Sequence, residues 1–362
     1  MRTSFLRPAA AIAALALAAA CDSATAPVPL DAAGVRADVG AATAAVNAPA
    51  TASFGALGPQ INLALAAIGG GAGIADLPAA LLSDPNALAT RAELRARVLE
   101  TGGTPAVIPA VALGKTFEYD VVTDRYVAGL RTGAPANGVR FVLYAVDPIT
   151  KAPVEPLVET GYVDLTRTFT QQQGVLATAR VEAWSGGTAP VKVLDYGVTV
   201  QGTLLAPTVS VAGFAKNASD SLSFLLSSAL AISTQSLAID WQTALASHGL
   251  TSHVVETITG GNAPQVTIDG SLTSLSGRVG ITGTIVQETG GTLTVKVNGQ
   301  TFATIQLDSA DDPEPTILNA SGQPLTGAQA EMLRQILDWF RDAFALYEDL
   351  LDPVKNLLDV VF

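Results

Sequence analysis

Histidine and cysteine are almost missing from this chain: two histidines and one cysteine stand among 362 residues. A single cysteine allows no intrachain disulfide, and a structural zinc site needs four ligands that these residues do not supply. His248 and His253 bracket the segment His-Gly-Leu-Thr-Ser-His, which reads as a hairpin turn with incidental histidines. Charge is also scarce, at 14% of residues, and unbalanced, with 20 basic against 32 acidic side chains and a net charge of −12. That sign excludes nucleic acid as a partner, because nucleic-acid recognition rests on a Lys/Arg footprint. It also leaves no polybasic patch for anionic lipids. No later apolar run reaches the roughly 20 residues of a membrane-spanning helix. Aromatic residues make up only 6%, thin for the two girdles of a membrane barrel.

Catalytic and cofactor signatures are missing as well. Neither G-x-S-x-G nor H-E-x-x-H occurs. Gly114-Lys115-Thr116 resembles the end of a phosphate loop, but Pro109 stands where its first glycine belongs, and a strand pattern follows instead of a helix. The run Gly69-Gly70-Gly71-Ala72-Gly73 has no strand before it and reads as a break between helices. Asp308, Asp311, Asp312 and Glu314 could gather oxygens, but their spacing departs from a calcium loop, and Pro313 and Pro315 point to a solvated linker. No catalytic residue, metal ligand or cofactor is therefore assigned.

What the chain does have begins at its N-terminus. Arg2 and Arg7 precede Ala9–Ala20, twelve residues of Ala, Leu and Ile only, too short to span a bilayer. A basic start, an apolar stretch and small residues form an export signal. Leu17-Ala18-Ala19-Ala20-Cys21 resembles the lipobox of bacterial lipoproteins, although Ala18 stands where that family prefers Leu, Val or Ile. The resemblance covers residues 1–21 and implies acylation of the Cys21 thiol, with cleavage before it. It further implies an exported chain, anchored by lipid to a bacterial envelope membrane, inner or outer being open. Several acyl chains hold such an anchor stably, at about 0.8 kcal/mol per buried CH₂.

The rest reads as a succession of segments. Residues 21–53, rich in Ala, Pro and Thr, are expected as a flexible tether, with a weak helix over Leu30–Val46 as the alternative. Residues 54–103 are expected as helical: Phe54, Leu57, Ile61, Leu65 and Ile68 keep helical spacing, and a second helix runs from about Leu77 to Glu100. From 114 to 308 the period falls to two, giving about thirteen strands in consecutive hairpins. Leu194, Tyr196, Val198 and Val200 mark one apolar face, and Asn298-Gly299 is a hairpin turn. Residues 309–325 read as an acidic linker. Thr326-Gly327-Ala328-Gln329 is a capping box opening a long amphipathic helix in the C-terminal segment 326–362. Leu333, Ile336, Leu337, Phe340 and Phe344 form its apolar stripe.

The expected class is mainly β (α+β): a large curled antiparallel meander packed on N-terminal helices and a long C-terminal amphipathic helix. The functional expectation is a membrane-anchored, non-enzymatic lipoprotein that binds or carries a lipid or other hydrophobic ligand between sheet and helices. A structural or partner-binding lipoprotein with a solid core fits the same residues, with protein partners unknown; a hydrolase is the least favoured reading.

Overall fold

The structure is a computed structural model and describes residues 30–69, 108–168, 175–203, 206–260, 264–286, 289–307 and 315–341. The lipobox, the expected helix over Leu77–Glu100, the Asp308–Glu314 cluster and the end of the C-terminal helix lie outside the described residues.

Persistent two-residue alternation leaves each strand with one face to bury, and the chain buries it in one sheet. The strands are β1 (Thr116–Asp120), β2 (Arg125–Ala128), β3 (Gly138–Tyr144), β4 (Glu159–Thr168), β5 (Val175–Ser185), β6 (Lys192–Thr203), β7 (Ala206–Lys216) and β8 (Ser221–Ala231). They continue with β9 (Ser236–Leu245), β10 (Leu250–Thr259), β11 (Gln265–Ser274), β12 (Gly277–Val286), β13 (Gly290–Val297), β14 (Gln300–Leu307) and β15 (Thr316–Asn319). The helices are α1 (Ala32–Val46), α2 (Pro49–Gly69) and α3, residues 327–341. The chain is mainly β, a large antiparallel meander with helices packed on it, as its periodicity predicts.

Strand order follows chain order from β15 to β3 and then runs β1-β2, in a sheet that does not close. A parallel pairing sets Thr116 and Phe117 of β1 beside Arg140 and Phe141 of β3. The sheet has fifteen strands where about thirteen were expected. β7 escapes sequence patterning because Pro207 and the small residues Ala212, Gly213 and Ala215 dilute its alternation. β15 lies in the stretch expected as linker and pairs with β14 from Ala303↔Asn319 to Gln306↔Thr316. The expected tether is likewise helical from Ala32 onward, so the alternative reading of that stretch is the one that forms. Asn298 (φ 49°) and Gly299 (φ 83°) take the left-handed pair of conformations that a two-residue turn between β13 and β14 requires.

The chain divides into two compact units. Among the described residues, the first takes in α1 up to Ala42 and everything from Leu226 on; the second runs from Thr43 to Leu225.

In the second unit α2 lies against β2–β6. Phe54, Leu57, Ile61 and Leu65 recur every three or four residues, and all are buried. The sheet face carrying Phe141, Val163, Val181, Leu194 and Tyr196 is buried with them. Register confirms the shared face, since Phe141 opposes Val163, Leu165 opposes Val181, and Val181 opposes Tyr196. Burial on this scale, at about 25 cal/mol per Å² of apolar surface, holds the helix down without a disulfide.

In the first unit Asp31 caps α1 by accepting the Gly34 N–H at 2.9 Å, and its own N–H reaches Ser276 O at 3.3 Å in the β11–β12 turn. α3 opens on the expected capping box: Thr326 N–H donates to Gln329 Oε1 at 2.9 Å and Gln329 N–H to Thr326 Oγ1 at 3.3 Å. Its Leu333, Ile336, Leu337 and Phe340 are buried. Phe340 passes so close to β11 that a Cβ on Gly270 would stand 3.1 Å from its ring and 2.9 Å from Ile281. Glycine at 270 makes the seat for that ring.

Candidate ligand-binding face

Cys21, the residue expected to carry lipid, lies outside the described residues. The two histidines do not share a turn. His248 lies in the short β9–β10 connection, while His253 stands inside β10. Each meets an aspartate: His248 Nδ1 lies 3.0 Å from Asp38 Oδ1 on α1, and His253 Nε2 lies 3.0 Å from Asp240 Oδ1 on β9. The first contact ties α1 to the sheet, a structural use that the spacing of the two histidines in sequence does not reveal. Among the described residues no group of three or more His, Cys, Asp or Glu is placed to hold a metal ion.

The outward face of the second unit carries a row of paired charges. Cross-strand register places Arg140, Asp164, Glu182 and Asp195 in one row over β3–β6. Arg140 grips Asp164 with two hydrogen bonds of 2.7 Å, Arg180 holds Asp195 at 3.0 and 2.8 Å, and Lys192 joins both Glu182 and Asp195. Burial works against ionisation of Asp195, but the hydrogen bonds from Arg180 and Lys192 prevail and hold its carboxyl below the usual range. Beside this row Tyr162 and Trp184 stack with centroids 6.1 Å apart and planes at 18°. Arg140 sits 3.8 Å from the Tyr162 centroid and Lys192 Nζ 5.1 Å from the Trp184 centroid. Cation, ring, ring and cation thus form one stack across four strands, which occupies ring faces that a flat ligand would use. An open depression of about 400 Å³ lies next to it, where Gly197 leaves room between Thr166, Thr178, Thr199 and Arg180. Its guanidinium is already engaged by Asp195, so the depression has shape without an unspent charge.

The apolar face of the first unit differs. Near the β9–β10 and β11–β12 turns it is closed: Leu245, Leu250, Leu272 and Val279 are 0 to 4% exposed. Towards the opposite strand ends the same face is only half-buried at Leu237, Ile239, Ile258, Ile268 and Ile285. Glu256 stands among them. Register puts it on this face, directly between Ile239 of β9 and Ile268 of β11, with Val254 and Ile258 two places away on its own strand. It makes no hydrogen bond or ion pair among the described residues, and burial alone pushes its carboxyl above the ordinary glutamate range. A carboxylate breaks the apolar alternation here and gains no partner among the described residues, so it is a cost that their packing does not explain. The alternation of β10 could have revealed it: Leu250, Ser252, Val254, Glu256, Ile258 puts an acid on the buried parity.

The raised carboxyl has a stability consequence. A folded-state pKa above the unfolded value contributes stability at low pH that is lost as pH rises through the folded value. Glu256→Gln is expected to leave the urea midpoint unchanged near pH 4 and to raise it by pH 8. Equal midpoints at both pH values would contradict the uncompensated burial of Glu256.

Compared with protein families, with curated proteins and with solved structures, the chain matches none.

Proposed function

We propose that this chain is an exported, lipid-anchored, non-enzymatic protein of a bacterial envelope that holds a hydrophobic ligand on the half-covered apolar face of its first unit. The observation that carries the ligand reading is the cluster Leu237, Ile239, Ile258, Ile268 and Ile285, half-buried on a face whose other end is closed. Apolar surface of this kind gains about 25 cal/mol per Å² when a ligand covers it. The anchor rests on Cys21, the sole cysteine, placed where a lipobox requires it. Replacing Cys21 with serine should move the protein from the membrane to the soluble fraction and abolish labelling by a fatty-acid analogue; retention in the membrane would defeat the anchor. The released protein should bind Nile red and yield extractable lipid by mass spectrometry, and loss of both signals would defeat the ligand.

A scaffold with a solid core is favoured by a different observation. In the second unit α2 fills the apolar face, with Phe54, Phe141 and Tyr196 at 0, 0 and 1% exposure. Crosslinking in intact envelopes separates the readings, since a scaffold returns stable protein partners and a carrier returns ligand.

A further inference from the structure

We propose that the ligand is a cationic amphiphile, whose protonated amine pairs with Glu256 while its chain lies over Ile239, Ile258 and Ile268. This rests on the ligand reading above and names the chemistry of the same site.

Three observations lead there. Glu256 is flanked on the face it shares with β9 and β11 by Leu237, Ile239, Trp241, Val266, Ile268 and Gly270, none of which titrates. On α3, Phe340 lies over Gly270, and it too is apolar. No charged side chain of the sheet face therefore competes for the carboxylate. A carboxylate in such surroundings strongly favours a partner that brings both positive charge and N–H donors, because the surrounding low dielectric strengthens the pair and removes its competitors. The net charge of −12 acts in the same sense, drawing cations towards the protein and opposing anionic lipids. A neutral alcohol of equal chain length would gain the apolar contact only. A fatty-acid anion would meet Glu256 as a like charge.

The test uses the full-length chain carrying Cys21→Ser and three probes of equal length, each below its solubility limit and any micellar concentration: dodecylamine, dodecanol and dodecanoate. At pH 7.5 dodecylamine should displace Nile red at a concentration about tenfold or more below dodecanol, and dodecanoate should be weakest. Glu256→Gln should erase the advantage of the amine and leave dodecanol unchanged. The urea midpoints of this variant, expected to match or exceed the parent's, show that it is folded. If all three probes bind alike and Glu256→Gln changes nothing, the cationic head group is wrong while the apolar site stands. If none binds, the face is covered by the chain itself or by another molecule, and both the ligand reading and this inference fall.

Discussion

Replacing Phe141 with alanine is expected to lower the stability of the second unit by about 3–5 kcal/mol. Phe141 is fully buried. Its ring stacks on Phe117 with centroids 4.7 Å apart and planes at 15°, and meets Tyr126 edge-on at 5.6 Å and 70°. The same residue joins β1 to β3, whose parallel ladder consists of two residue pairs. Few backbone hydrogen bonds hold that junction, so the aromatic cluster carries much of it. Alanine would remove the middle ring and leave a void that three strands must collapse to fill. Phe141→Leu, which keeps most of the volume, should cost less than half as much. Urea unfolding followed through Trp184, with Trp241 and Trp339 changed to phenylalanine, reports on the unit that contains the substitution. A loss below about 1 kcal/mol for alanine would show that this cluster does not hold the junction.

Asp164→Ala is expected to cost about 2–3 kcal/mol, somewhat below the roughly 3–5 of a fully enclosed ion pair. The discount follows from exposure: Asp164 is 8% exposed as a residue, while 21% of the Arg140 side chain still reaches water. Without Asp164 the guanidinium keeps the Tyr162 ring but loses two hydrogen bonds of 2.7 Å. The hydrogen bonds that Arg140 donates to Asp164 are also what raises its basicity, against the opposing pull of burial. The paired replacement Arg140→Met with Asp164→Leu removes both charges and should recover much of the loss. A double variant as unstable as Asp164→Ala would mean that the cost comes from packing around Asp164, not from the stranded cation.

Period-two alternation made the sheet legible, and it did so most clearly where one face is apolar without interruption, as at Leu194, Tyr196, Val198 and Val200. Where small residues or proline weaken it, as in β7, the strand exists because β6 offers a complete ladder from Thr203↔Ala206 to Leu194↔Ala215. That is information held by the neighbour. The helix over Ala32–Val46 was legible only as the alternative to a tether, for a related reason: its buried positions are mostly Ala and Val, so its apolar stripe has little contrast. The parallel placement of β1 beside β3 could not be read at all, since nothing local to Thr116–Asp120 distinguishes a parallel partner from an antiparallel one. The candidate face was legible only in part. Glu256 is an ordinary surface residue by type, and its meaning comes from the register that assigns it to the apolar side.

The order of the sheet has one more consequence. Among the described strands, a meander that does not close ends in two with a single hydrogen-bonded neighbour each, here β2 and β15. Both are four residues long, among the shortest in the sheet, while the strands between β4 and β12 run to ten or more. A long terminal strand would offer a row of unsatisfied N–H and C=O groups on which a second copy could add. A four-residue one gives a second molecule too little ladder to grip. Growth of the sheet thus stops at its own margins, and a protein held at high local concentration beside its copies would have reason to taper in this way.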